Sequence, residues 1–355
     1  MGSTPRGISA SRGAAVLGLS DWASPLEVWQ QILEEREPGY NAAHGYTLPE
    51  FKEGASLRFG LAFEDAVVSL SEDATGDKIV DREGSYGIDL ARPDDRFVGS
   101  DNVASHCAIT CHIDGSYIMP PALSGSGPLH EGKTTTAFAF REKWGEEGSD
   151  RIPQVYQVQV QHQMLCTGAS EVIVSVLVFP EMPDAWEKMG YQVHADDFGR
   201  WHIDTEETVN AIDPMQWARV LAEMGYFHQY RVKANPEAQA AMLASYRRFW
   251  EHNVLRQVPP DPRDYEDVRR LFPAPKGTIV CDDTLAGWLR EYKDIRDELG
   301  GKGMLSRRGD ELKLLILERA RATDGTIDDE SREKTIFRDQ AGAKLGQYDG
   351  KTFRV

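Results

Sequence analysis

Apolar residues recur at helical spacing through the first part of the chain. Ile8 to Gly18 predicts a short helix with a serine cap, stopped by glycine. Leu26, Val28, Trp29, Ile32 and Leu33 predict a second helix over Pro25–Arg36, followed by a Gly/Asn/Pro loop at 37–50. Phe51–Ser71 reads as a longer helix whose Leu57, Phe59, Leu61, Val67, Val68 and Leu70 supply a core face. The pattern then changes. Residues 78–133 carry many Gly, Asp and Ser breaks, with strands expected over Ile109–Met119 and, after the 120–127 loop, over Pro128–Lys133. Pro153–Thr167 reads as a helix opened by proline. The valine-rich Val172–Phe179 reads as a buried strand.

Beyond Pro180 the reading is a strand at 199–203, mostly helix over 205–254 and a proline-punctuated linker to Lys276. Two helices follow, at about 284–298 and 306–321, as a hairpin around Gly300-Gly301, and then a polar tail. This order predicts an α/β fold with a central mixed sheet flanked by helices and a mainly helical C-terminal extension. The expected domains are a core at 1–182, a helical continuation at 183–260 packed on it, and a hairpin and tail at 261–355.

The chain has 355 residues, with 41% hydrophobic and 27% charged, which excludes fibrous and wholly disordered classes. No apolar run approaches a membrane span, and the N-terminus lacks a signal-peptide pattern, so a cytoplasmic protein is expected. Cys107, Cys111, Cys166 and Cys281 are accordingly read as reduced thiols. The loose spacing of the first two, between His106 and His112, favours packing over zinc. The net charge of −17 argues against a protein that coats nucleic acid, while leaving room for a local basic channel in an acidic enzyme.

Candidate chemistry gathers in one stretch. Asp114-Gly115 ends one predicted strand, and Glu131-Gly132-Lys133 lies in the next, with Glu131 and Lys133 on one face. Two carboxylates suit a hard divalent ion, which stabilises charge developing on a phosphoryl group and acidifies a water that a lysine can help position. Taken alone, a lone D…ExK string is as well read as a surface salt pair. Pro153-x-x-Tyr156-x-x-Gln159-Val160-Gln161-x-x-Met164 puts Tyr156, Gln159 and Gln163 on one helix face, either as a solvated polar face or as amides aimed at a phosphate. Glu64 lies on the upstream helix, after Phe59-Gly60.

Together these motifs resemble the lambda-exonuclease/YqaJ-like viral recombinase family of the PD-(D/E)xK nuclease superfamily, over roughly residues 6–182. The resemblance implies a nuclease core in which Asp114, Glu131, Glu64 and the Gly132 carbonyl hold Mg²⁺, with Mn²⁺ as a substitute. It makes Lys133 the water-activating lysine, and Gln159 with Tyr156 the helix residues of the active site. Arg6 and Ser11, with Arg12 as a rival, match the residues that grip a 5′-terminal phosphate. The implied activity is 5′-to-3′ exonucleolysis of linear double-stranded DNA, resecting ends for single-strand annealing. A homotrimeric ring, an annealing-protein partner and a phage or prophage origin in a bacterial cytoplasm follow from the same likeness. A structure-specific or restriction-type endonuclease, or a non-catalytic DNA-binding scaffold, is the alternative. Two features depart from the family: Gly132 stands where a bulky apolar residue is usual, and the loop from Asp114 to Glu131 is long and carries Pro120-Pro121. Asp101 is a rival for the first carboxylate, placed behind Asp114 by its greater distance from Glu131.

Overall fold

The computed structural model describes residues 7–355 except 49–53, 83, 100–102, 104–106, 118–126, 181–186, 188–189, 198–200, 209–210, 272–276, 300–303, 322–333 and 350–352. In chain order its elements begin with β1 (Ile8–Ser9), α1 (Ala10–Val16), α2 (Pro25–Arg36), α3 (Tyr40–Ala43) and α4 (Ala55–Thr75). Next come β2 (Ser85–Asp89), β3 (Arg92–Val98), β4 (Ile109–His112), β5 (Gly115–Ser116), β6 (Leu129–Thr136), α5 (Ala137–Lys143), α6 (Gln154–Thr167) and β7 (Glu171–Phe179). Then follow β8 (Gln192–Ala195), β9 (Trp201–Asp204), α7 (Pro214–Glu223), β10 (Phe227–Lys233) and α8 (Pro236–Phe249). The last are α9 (Tyr265–Leu271), β11 (Gly277–Val280), α10 (Asp283–Leu299), α11 (Met304–Arg321), β12 (Thr335–Arg338), β13 (Lys344–Tyr348) and β14 (Phe353–Arg354). Contacts gather the chain into two units, Met1–Asp21 with Phe51–Glu251 and Trp22–Glu50 with His252–Val355. Residues 22–50, expected within the core, thus group with the C-terminal part.

The first unit holds two mixed sheets flanked by helices, ordered β1-β4-β2-β3 and β10-β7-β6-β5. In the second, β6 and β7 run parallel, and β5 and β10 pair antiparallel at the edges. Val172 to Phe179 are all buried, as a near-continuous apolar strand covered on both faces requires. Helix α4 supplies one cover: Phe59, Phe63, Ala66 and Val67 pack with Leu177 and Phe179, and Phe63 meets the Phe179 ring edge-on at 4.9 Å. The helix lies close over β6 because glycines face it. A Cβ on Gly132 would meet Val67 Cγ1 at 3.3 Å, and one on Gly60 would meet Thr134 Oγ1 at 3.3 Å. That contact explains why a bulky residue is absent at Gly132.

Two expectations change here. The single strand expected over Ile109–Met119 is two: β4 belongs to the first sheet and β5 to the second, and the chain changes sheet at Ile113-Asp114. Gly115 makes the turn with φ 156°, where a side chain would overlap Ile79. The region expected to be mostly helical at 205–254 contains β10, which pairs antiparallel with β7 from Phe227↔Leu177 to Lys233↔Glu171. Tyr230 and Val232 are buried while Arg231 and Lys233 are exposed, a two-residue alternation.

Helix α1 seats on α6 and α8 through Gly13, where a Cβ would overlap Tyr246 Oη and lie 3.2 Å from His162 Nδ1. Both side chains are fully buried and bonded to each other at 3.3 Å, so neither can swing aside. Gly13→Ala is therefore expected to destabilise by roughly 1–3 kcal/mol through overpacking. Helix propensity alone predicts the opposite sign, a gain of about 0.5–1 kcal/mol. A urea melt decides between them, and a raised midpoint would mean that α1 does not sit there.

The second unit has its own polar tie and core. Ser24 caps α2 by accepting from the Glu27 amide at 3.1 Å, and its hydroxyl donates to buried Asp267 of α9 at 2.6 Å. Arg270 bridges Glu27 and Asp267, 3.2 Å from each. Helices α10 and α11 pack Leu285, Leu289, Leu312 and Ile316 against Phe337 and Tyr348 of a four-stranded sheet, β11-β12-β13-β14. The helices fall where the apolar spacing places them, and the polar tail after them supplies three of the sheet's strands. Among the described residues no helix is long and apolar enough to cross a membrane.

Candidate active site

Glu131 is the centre of the site. It lies in β6, 1% exposed, and a buried carboxylate without partners would be expelled or protonated. Here it has three donors. Lys133 Nζ and Gln159 Nε2, the latter at 2.5 Å, bond Oε1, and Gln163 Nε2 bonds Oε2 at 2.6 Å. Lys133 comes from the same strand two residues on, and both glutamines come from α6 one turn apart. Lys133 Nζ also stands 5.0 Å from the Tyr156 ring centroid, a cation–π contact, and Trp144 packs with its ring centroid 5.8 Å from that of Tyr156 and 5.0 Å from that of Tyr230.

Asp114 sits where the chain changes sheet, and the Gly132 amide donates to its Oδ2 at 2.8 Å. Burial, and then the charge of Glu131, push its carboxyl up to about 7, against the pull of Lys133 and of the Gly132 amide. Burial alone would lower the proton affinity of Lys133, but Glu131 and Asp114 more than reverse this and hold it above the ordinary lysine value. Lys133 is thus an ammonium here, a donor. The donor set suits a hard divalent cation. Two carboxylates in each other's field have the Lys133 ammonium for compensation, and buried Gln163 Oε1 has no hydrogen-bond partner among the described residues.

The other predicted residues fall into place unevenly. Glu64 is on α4, half-exposed, 3.9 Å from Arg82, which also pairs with Asp65 at 2.7 Å. Its charge reaches Asp114, but among the described residues no three His, Cys, Asp or Glu side chains converge as a metal cluster. Ser11 and Arg12 lie on α1, with Ser11 Oγ 3.0 Å from Ser9 Oγ and Arg12 Nη1 donating to the Gly7 carbonyl at 3.4 Å. Arg6 and Asp101 lie outside the described residues. All four cysteines are free and buried.

The glutamine helix is a polar tie and not a solvated face. Gln161 Nε2 donates to the Lys233 carbonyl at 2.8 Å, and its Oε1 accepts from the Asn235 amide at 2.9 Å. His162 is buried and held neutral, its affinity lowered to about 4 by burial, with Nε2 donating to the Thr110 carbonyl at 3.0 Å. Gln163, 1% exposed, was named by its helix face but given no role, although its i+4 spacing from Gln159 was the available signal.

Residues 4–170 match the family model of the YqaJ-like viral recombinase domain. No curated protein sequence matches the chain. Among solved structures, an alkaline exonuclease from Laribacter hongkongensis is similar at 14% identity, covering 71% of this chain and 90% of that one, with a TM-score of 0.41. The complex of that exonuclease with dAMP matches at 14% identity over the same shares, with a TM-score of 0.39. A phage-related exonuclease from Haemophilus somnus 129PT matches at 10% identity, covering 71% of this chain and 96% of that one, with a TM-score of 0.34.

Proposed function

We propose that this chain, whose residues 4–170 carry a YqaJ-like viral recombinase domain, is a metal-dependent deoxyribonuclease that resects linear double-stranded DNA from its 5′ ends. The observation that carries this reading is Glu131, buried in β6 beside Asp114 and held by Lys133 and Gln159. In this proposal Asp114, Glu131 and the Gly132 carbonyl hold Mg²⁺ or Mn²⁺, with Glu64 as the outer carboxylate. The ion, when bound, supplies positive charge to the phosphate and acidity to a water.

The chain's own groups do the rest. Lys133 Nζ donates to the phosphate oxygen that gains charge as water adds in line; the P–O3′ bond breaks, and the proton the water loses is balanced by the one the departing 3′ oxygen takes up. Gln159 keeps Glu131 Oε1 in a fixed direction and shares that oxygen with Lys133. Tyr156 covers Lys133 and keeps bulk water from one side of it. Ser11 and Arg12 are carried by α1, whose next residue, Gly13, touches His162 of the glutamine helix. A terminal phosphate gripped there is thereby registered against Glu131; Arg6 belongs to the same proposed grip. A homotrimeric ring, an annealing-protein partner and work in a bacterial cytoplasm belong to this reading, and a ring reconciles a net charge of −17 with DNA through a local channel.

The test is digestion of linear 5′-phosphorylated duplex beside a covalently closed circle, in Mg²⁺ and in EDTA. Metal-dependent loss of the linear form alone is expected. Cutting of the circle would make the protein an endonuclease, and binding without cleavage of either form would make it a scaffold.

A further inference from the structure

The two carboxylates meet where the chain changes sheet. Asp114 lies between β4, whose neighbours are β1 and β2, and β5, which pairs with the β6 of Glu131 and sets Gly115 opposite His130. That ladder and the Gly132 amide place Asp114 beside Glu131, whereas among the described residues β4 itself does not pair with β6. One side chain spans that gap. Gln163 Nε2 donates both to the His112 carbonyl, the last residue of β4, at 3.3 Å, and to Glu131 Oε2 at 2.6 Å. The amide is fully buried, and its two donor bonds leave its oxygen as an acceptor with no partner among the described residues.

We propose that Gln163 is a positioning residue that directs Oε2 of the metal-holding Glu131, by joining it through one amide nitrogen to the strand that ends before Asp114. The inference rests on the nuclease reading above. Lys133 and Gln159 both act on Oε1, so Gln163 alone directs Oε2. Without it the carboxylate turns about its Oε1 contacts and β4 loses its tie to Glu131. Gln161 is the internal comparison. It is the same residue type on the same helix, also buried, but its amide serves Lys233, Asn235 and Gln239 and touches neither carboxylate.

The experiment is calorimetric titration of the full-length protein with Mn²⁺, paired with cleavage of linear duplex across Mn²⁺ concentrations. Gln163→Met is expected to weaken Mn²⁺ binding about 10- to 100-fold, the usual effect of removing a group that orients a ligand. Turnover should recover at saturating Mn²⁺. Gln161→Met is expected to lower the melting temperature in EDTA but to leave Mn²⁺ affinity within about twofold, a small change on that same scale. Gln163→Asn, which keeps the amide on a shorter arm, is expected to fall between wild type and methionine, and it carries the test if the methionine protein does not fold. Wild-type affinity in both Gln163 variants, or equal losses in Gln161→Met and Gln163→Met, would overturn the positioning role while the nuclease reading stands. A wild-type protein that neither binds Mn²⁺ nor cleaves DNA would overturn both.

Discussion

Lys133→Met is expected to slow cleavage of linear duplex DNA by about 10²- to 10⁴-fold, the range that a positioned proton-handling or charge-stabilising group contributes. The argument is electrostatic. Lys133 is the one ammonium in contact with Glu131, and both carboxylates hold its proton in place. Methionine keeps the stem against Tyr156 and removes the charge, so packing changes little while the phosphate loses its fixed donor. The loss should lie in kcat more than in KM, because charge on the phosphate oxygens grows toward the transition state. Single-turnover rates measured with and without the substitution, beside melts in Mg²⁺, separate chemistry from folding. A rate within tenfold of wild type would remove Lys133 from the mechanism.

Asp114→Asn is expected to separate stability from activity. Asp114 holds its proton up to about 7, against an ordinary value of 3.8. A carboxyl whose folded state binds the proton more tightly than the unfolded state stabilises the fold at low pH, and this contribution disappears as pH rises from about 4 to about 7. At pH 8 the metal-free wild type therefore carries a desolvated charge beside Glu131, and asparagine removes it while still accepting from the Gly132 amide. In EDTA the variant should melt a few degrees higher than wild type at pH 8 and equal it near pH 4. Adding Mg²⁺ should raise the wild-type melt and not the variant's, since an ion that binds only the folded state stabilises it by mass action. Cleavage should fall about a thousandfold or more, the scale of losing several kcal/mol of metal-assisted stabilisation. Higher melting of wild type in EDTA at pH 8 would mean that Asp114 is not strained by its neighbours.

Much of this was legible because each local signal agrees with its surroundings. Pro25 and the apolar spacing after it mark α2 to the residue, and the valine run marks β7, which needs cover on both faces. Glu131 and Lys133 were readable as a pair because strand periodicity is strict, and Tyr156 and Gln159 because helical periodicity is. What was missed depends on partners remote in sequence. β10 is half polar and takes its strand form from pairing with β7, about fifty residues earlier on the usual scale of such long-range contacts. The C-terminal strands are two to five residues long and polar enough to pass for loop. The break at Asp114 is invisible in an alternating pattern, since either sheet would accept the same alternation. Gln163 shares a helix face with Tyr156 and Gln159, but nothing in its sequence neighbours says that a buried carboxylate waits opposite.

The change of sheet at Asp114 also orders events during synthesis. Translation delivers β4, Asp114, β6 and Glu131 before the helix that spans Gln154–Thr167. Until that helix docks, the growing polypeptide owns both acidic groups and has no glutamine amide on Glu131. Under the proposed reading, a nascent chain ending before Gln154 holds Glu131 through Lys133 alone, and its metal affinity is expected to fall short of that of the whole domain.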